Sequence, residues 1–157
     1  MTDTTHELTI TRLIDAPREA VWRAWTEHAA EWLCPRPWRA EMLEMDLRPG
    51  GASRMTFHGP DGEAMPLQGV YLEVRPGERV VSTDAFDADW RPHGPFMVRI
   101  DEFADEGCAT RYTATARHWT AEARAQHEAM GFEGGWGASA DQLAEVAKRL
   151  AAGGPRP

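Results

Sequence analysis

Between residues 39 and 118 the chain breaks into short runs punctuated by tight-turn sequences. "RAEMLEMDL" gives way to "RPGG", "ASRMTFH" to "GPDG" and "LQGVYLEV" to "RPGE"; "RVVSTDAF", "PFMVRIDEF", "ADEG" and "CATRYTATA" follow. Turns this tight join antiparallel neighbours, because a parallel connection needs a crossover of a dozen or more residues. The runs are rich in the β-branched and aromatic residues that strands favour. Six antiparallel strands in a meander are therefore predicted. The opening "HELTITRLID" sets Leu8 and Ile10 against Thr9 and Thr11 in a period of two, which adds a seventh.

A sheet of this size has an apolar face to bury, so helices must supply the second layer. "DAPREAVWRAWT" offers Asp15 as a helix cap, Pro17 in the first turn and an apolar stripe at Val21, Trp22 and Trp25. A second short helix at "EHAAEWL" ends where Pro35 and Pro37 forbid its continuation. Near the C-terminus Thr120 is a cap and Glu122 sits in the first turn, where the helix dipole favours acid. The stripe Phe132, Trp136, Ala140, Leu143, Ala147 and Leu150 then defines one buried face of a long terminal helix. The fold class is α+β, with a seven-stranded curved antiparallel sheet around that helix and two short helices after strand one. Residues 6–152 form one domain, and 153–157 are expected to be a disordered tail.

Four glycines, Gly131, Gly134, Gly135 and Gly137, interrupt the terminal helix beside Phe132 and Trp136, and each costs roughly 1 kcal/mol of helix propensity. Two readings stand. Glycines facing a sheet beside bulky aromatics leave a hollow; alternatively, the helix breaks at Gly131 after Met130 with a glycine cap.

The net charge of −8, with no run of basic residues, argues against nucleic acid and anionic membrane partners. No apolar segment approaches the roughly 20 residues of a membrane span, and the N-terminus lacks a signal-peptide pattern. A cytoplasmic location without membrane insertion is expected, with Cys34 and Cys108 as free thiols. His118 and His127, near Glu122 and Glu128, lack the i, i+4 spacing of helical zinc ligands, so neither metal nor cofactor is expected. Asp46 and Arg48, two apart at a strand end, read as a hairpin surface pair before they read as substrate-orienting groups. Catalytic triads and phosphate loops are missing.

The aromatic residues carry more information. Trp38, Phe57, Tyr71, Trp90, Phe96, Tyr112, Phe132 and Trp136, together with His118, are the candidate lining of a ligand pocket, and Trp119 belongs to the same aromatic set. His58, Arg99 and Gln68 are candidate polar groups in it. Strand parity groups Phe96, Val98 and Ile100, which leaves Arg99 free to face solvent.

"DAPREAVWRAWTEHAAEW", "DLRPGG" with "GPDG" after it, "GVYLEVRPGERVVST" and the late "GGW" resemble the START-like superfamily (SRPBCC, Bet v 1-like). Within it they resemble the family named for activators of the heat-shock-protein-90 ATPase, over about residues 8 to 150. The resemblance, which extends to many bacterial proteins, implies a helix-grip fold enclosing a hydrophobic cavity between sheet and terminal helix. It implies a protein, monomer or homodimer, that binds a small, largely apolar ligand, lipid-like or aromatic. Cyclase- or hydrolase-like chemistry using His118, Tyr71 or Asp46, and a co-chaperone acting through its surface, are the alternatives. "WLCPRPW" departs from the pattern of such relatives after Trp32, which points to a subgroup with its own pocket.

Overall fold

A computed structural model describes residues 6–94 and 96–153. The chain runs β1 (Glu7–Ile14), α1 (Arg18–Glu27), α2 (Ala29–Trp32), β2 (Arg39–Met45), β3 (Ala52–His58), β4 (Ala64–Arg75), β5 (Arg79–Thr83), β6 (Val98–Glu106), β7 (Ala109–Arg117), α3 (Ala121–Ala129) and α4 (Phe132–Ala152). The seven strands form one sheet in the order β1-β7-β6-β5-β4-β3-β2, every pair antiparallel. Short turns join β2 to β3, β3 to β4, β4 to β5 and β6 to β7, while a longer connection between Thr83 and Val98 leads from β5 to its neighbour β6. β1 closes the far edge by pairing with β7 from Glu7 opposite Arg117 to Ile14 opposite Thr110. Register shifts at Met42/Glu44 in β2 and Tyr71/Glu73 in β4 bend those strands, as β-bulges do. The expected tail lies, beyond Gly153, outside the described residues.

Asp15 does not cap α1. Pro17 occupies the N-cap in an extended conformation, and its carbonyl accepts from the amides of Ala20 and Val21 at 2.9 and 3.2 Å. Proline already holds the φ that this entry into a helix needs, and no side-chain cap is used. Thr120 does cap α3, its Oγ1 accepting from Ala123 N at 3.0 Å.

The glycine stretch contains a break. α3 ends and α4 begins at Gly131, whose φ of +98° is left-handed and unfavourable to any residue with a Cβ. Beyond it Phe132, Ala140, Leu143, Val146 and Ala147 are buried. They belong to a core shared with Leu8, Ile10 and Ile14 of β1 and with Val21, Ala24 and Trp25 of α1. α4 thus packs on α1, α2 and the β1 edge. The bent middle and far edge of the sheet stand clear of it, which leaves a space between.

Because Gly131 is left-handed whereas Gly134 is helical, with nothing within 4 Å of an added Cβ, the two positions respond oppositely to alanine. Gly131→Ala is expected to destabilise by roughly 1 kcal/mol. Gly134→Ala is expected to stabilise by up to roughly 1 kcal/mol. Urea denaturation of both variants checks the pair.

Candidate functional site: a methionine-walled cavity with one polar end

The space between sheet and α4 is a cavity of about 530 Å³. Its apolar wall is contributed by Met42 and Met45 of β2, Met55 and Phe57 of β3, Met65 and Leu67 of β4, Met97, and Trp25, Trp32 and Leu33 from the α1–α2 region. Met130, at the end of α3, stands at the exposed rim. All six methionines among the described residues line this one space. Unbranched thioether side chains change rotamer cheaply, so such a wall adapts to different shapes. Gly135 of α4 is also part of the lining, and an added Cβ there meets nothing within 4 Å.

One end is polar and organised around Asp101, which is 1% exposed. Arg99 approaches it with both arms of its fork, Nε to Oδ2 at 2.9 Å and Nη2 to Oδ1 at 3.1 Å. Tyr112 OH donates to Oδ1 at 2.5 Å and Trp25 Nε1 at 3.3 Å. A buried carboxylate is tolerated only when paired and hydrogen-bonded, and four donors meet that demand. Burial opposes the charge of Arg99, yet Asp101 overcomes this and holds the guanidinium charged beyond its ordinary range. Burial, and then Asp101, push the Tyr112 phenol well above its usual value. The guanidinium lies 4.3 Å from the ring centre of Trp136 and 5.9 Å from that of Trp32.

Beside Trp136 stands His127, the single buried residue of α3. Its Nδ1 meets Nε2 of His118 at 2.9 Å, and Nδ1 of His118 meets the carbonyl of His6 at 2.8 Å. Phe96, Phe132 and Trp136 surround the His127 ring at 4.6, 5.1 and 5.7 Å between centres. Burial, then His118 and Arg99, lower its pKa to about 4. Burial likewise raises Tyr71, and it pushes the Cys34 thiol up to about 11, far from a reactive thiolate.

Of the candidate residues, Phe57, Tyr71, Phe96 and Trp136 line the cavity, as does Gln68. Tyr112 lies behind the wall, committed to Asp101, while Phe132 and His118 form the layer behind His127. Trp38 sits over the β3–β4 turn, where a Cβ on Gly59 would come within 2.9 Å of its ring. Trp90 is exposed, in contact with Phe86, and Trp119 is exposed too. Asp46 pairs with Arg48 at 2.8 Å on the surface, and His58 pairs with Glu41. Arg99 faces the cavity and not solvent: Phe96 precedes β6 and is outside its alternation, so parity within the strand groups Arg99 with Asp101.

Nine residues around a strand-to-helix corner bring His118 and His127 into direct contact. No third ligand joins them: Glu128 pairs with Arg124 at 3.2 Å, and no group of three metal-ligating side chains occurs among the described residues.

Two predictions follow from the buried groups. A histidine whose folded pKa is depressed stabilises the fold above its unfolded pKa near 6.5, and that contribution is lost as pH falls toward about 4. Acidification across this window is expected to cost wild type roughly 1–3 kcal/mol more than His127→Phe. Urea titrations at several pH values measure the difference. Tyr112→Phe, which removes one of the four donors to Asp101, is expected to lose roughly 1–3 kcal/mol in the same assay.

Residues 15–148 match the family model described as Activator of Hsp90 ATPase homolog 1-like protein. A crystal structure of a protein from Nitrosomonas europaea superposes with a TM-score of 0.90 at 36% identity, covering 96% of this chain and 99% of that one. One from Chromobacterium violaceum gives 0.71 at 29% over 89% and 96%, and one from Mycobacterium smegmatis 0.76 at 26% over 92% and 95%. No curated protein matches. No helix among the described residues is long and apolar enough to cross a membrane. With its antiparallel sheet wrapped on a terminal helix and a family match across most of its length, the chain belongs to the Activator of Hsp90 ATPase homolog 1-like family of the START-like superfamily.

Proposed function

We propose that this protein binds a small, largely apolar molecule, aromatic or lipid-like, in the cavity between sheet and α4, and does so in the cytoplasm. The observation that carries the reading is the cavity itself: about 530 Å³, walled by six methionines and several aromatic rings, with the Asp101–Arg99 pair and His127 among its few polar groups. Both the size and the few convergent polar groups are what small-molecule sites have in common. Burying about 200 Å² of apolar ligand surface contributes roughly 5 kcal/mol before association costs, enough for micromolar to millimolar binding.

The cyclase- or hydrolase-like alternative has thinner support. Asp46 is outside the cavity, His118 is behind its wall, and burial moves the Tyr71 phenol away from neutral pH.

Native mass spectrometry of freshly purified protein is expected to show a retained small molecule. An environment-sensitive apolar dye is expected to quench tryptophan emission in a manner insensitive to salt. Gly135→Leu places a side chain in open space, so it is expected to match wild-type stability, or exceed it by up to roughly 1 kcal/mol, while dye binding is lost. Gly134→Leu, exposed on the helix, is expected to keep it. Dye that binds neither variant nor wild type, or binding abolished by salt, would refute the cavity reading and favour a surface partner.

A further inference from the structure

Among the described residues, Trp32 and His127 in the cavity wall are nearly buried and each carry a polar atom without a hydrogen bond. Trp32 Nε1 is enclosed by protein, out of reach of any occupant. His127 Nε2 is different. It makes no hydrogen bond, it is not enclosed, and it belongs to a ring only 6% exposed that lines the cavity.

Its protonation is settled by the chain of contacts behind it. A carbonyl only accepts, so His118 Nδ1 donates to His6 O. When His118 carries no second proton, its Nε2 is an acceptor and His127 Nδ1 must donate to it. The remaining nitrogen, His127 Nε2, then keeps its lone pair, on a ring that lines the cavity. Phe96, Phe132 and Trp136 stand around the ring that carries this acceptor. Charge narrows the choice further. Arg99 is the only cation among the lining residues, its Nε and Nη2 are committed to Asp101, and Asp84 is a second lining carboxylate. A ligand carboxylate would be the third negative charge against one positive.

We propose that the polar end of the cavity recognises a neutral aromatic ligand through a hydroxyl group that donates to His127 Nε2, held in that tautomer by His118 and the His6 carbonyl. This deepens the cavity reading and rests on it. The contact is recognition and not deprotonation. A ring with a pKa of about 4 leaves the proton on a phenol of pKa about 10 by roughly a million-fold.

The test compares 2-naphthol with 2-methoxynaphthalene, in which a methyl group replaces the donated proton, by equilibrium dialysis at about pH 7.5. Wild type is expected to bind the naphthol roughly tenfold more tightly, the worth of one hydrogen bond in a dry site. In His127→Phe the two affinities are expected to converge. Because that variant leaves His118 Nε2 unpaired and threatens the fold, nitrogen-15 NMR of histidine-labelled wild type supplies a second readout. The unprotonated nitrogen of His127 is expected to shift on adding the naphthol and to stay in place with the ether. Equal wild-type affinities, or no shift with bound naphthol, would overturn the inference while leaving the cavity reading intact. Failure of both molecules to bind would overturn both.

Discussion

Asp101 is the interaction on which the remaining structure depends. Its two oxygens collect donors from three elements: Arg99 from β6, Tyr112 from β7 and Trp25 from α1. That arrangement fastens the first helix to the centre of the sheet. It also fixes Arg99 over the ring of Trp136 in α4, so the charge that stabilises the carboxylate reaches the terminal helix as well. Stripping one partner from a buried ion pair leaves an uncompensated charge, which is why such networks hold geometry more firmly than apolar packing does. Here the geometry held is the polar end of a cavity.

The other end follows the opposite logic. Methionines from β2, β3 and β4, with Met97 and Met130, supply area without a fixed shape. On the proposed reading, a rigid polar cluster and a compliant apolar wall divide recognition between them: the first selects a functional group, the second tolerates the remainder of the molecule. The bulges in β2 and β4 help to make the room, because they bend the strands that carry much of the wall.

The architecture was legible in the sequence because it rests on local signals. Turn residues at fixed offsets dictated the antiparallel order, and the stripe from Phe132 to Leu150 dictated a buried helix face. The site was legible only in part. Phe57, Tyr71, Phe96 and Trp136 stood out as large aromatics, but the same criterion also selected Trp38 and Trp90, because ring size does not encode which side of a chain faces inward. Arg99 stood among the candidate polar groups, and its alternative direction toward solvent rested on a parity counted through Phe96, a residue that precedes the strand. The His118–His127 contact was invisible to spacing rules, which describe one helix face and not a corner between elements. The methionine wall depends on pairing across strands: Met42 lies opposite Met55, and Met65 opposite Phe57, a pattern recognisable only once those strands are laid side by side.

The left-handed joint at Gly131 has a mechanical consequence. It interrupts the hydrogen-bond ladder between α3 and α4, so a tilt of α3 need not propagate into the helix that packs on α1. α3 itself is lightly moored, by one buried ring, the His127 side chain, and by Arg124 reaching the Glu7 carbonyl at 3.1 Å. Met130, at its end, forms part of the cavity rim. On the proposed reading, a molecule that engages the mooring ring bears on the same short helix that frames the opening, so binding at the ring and the position of the rim share one side chain.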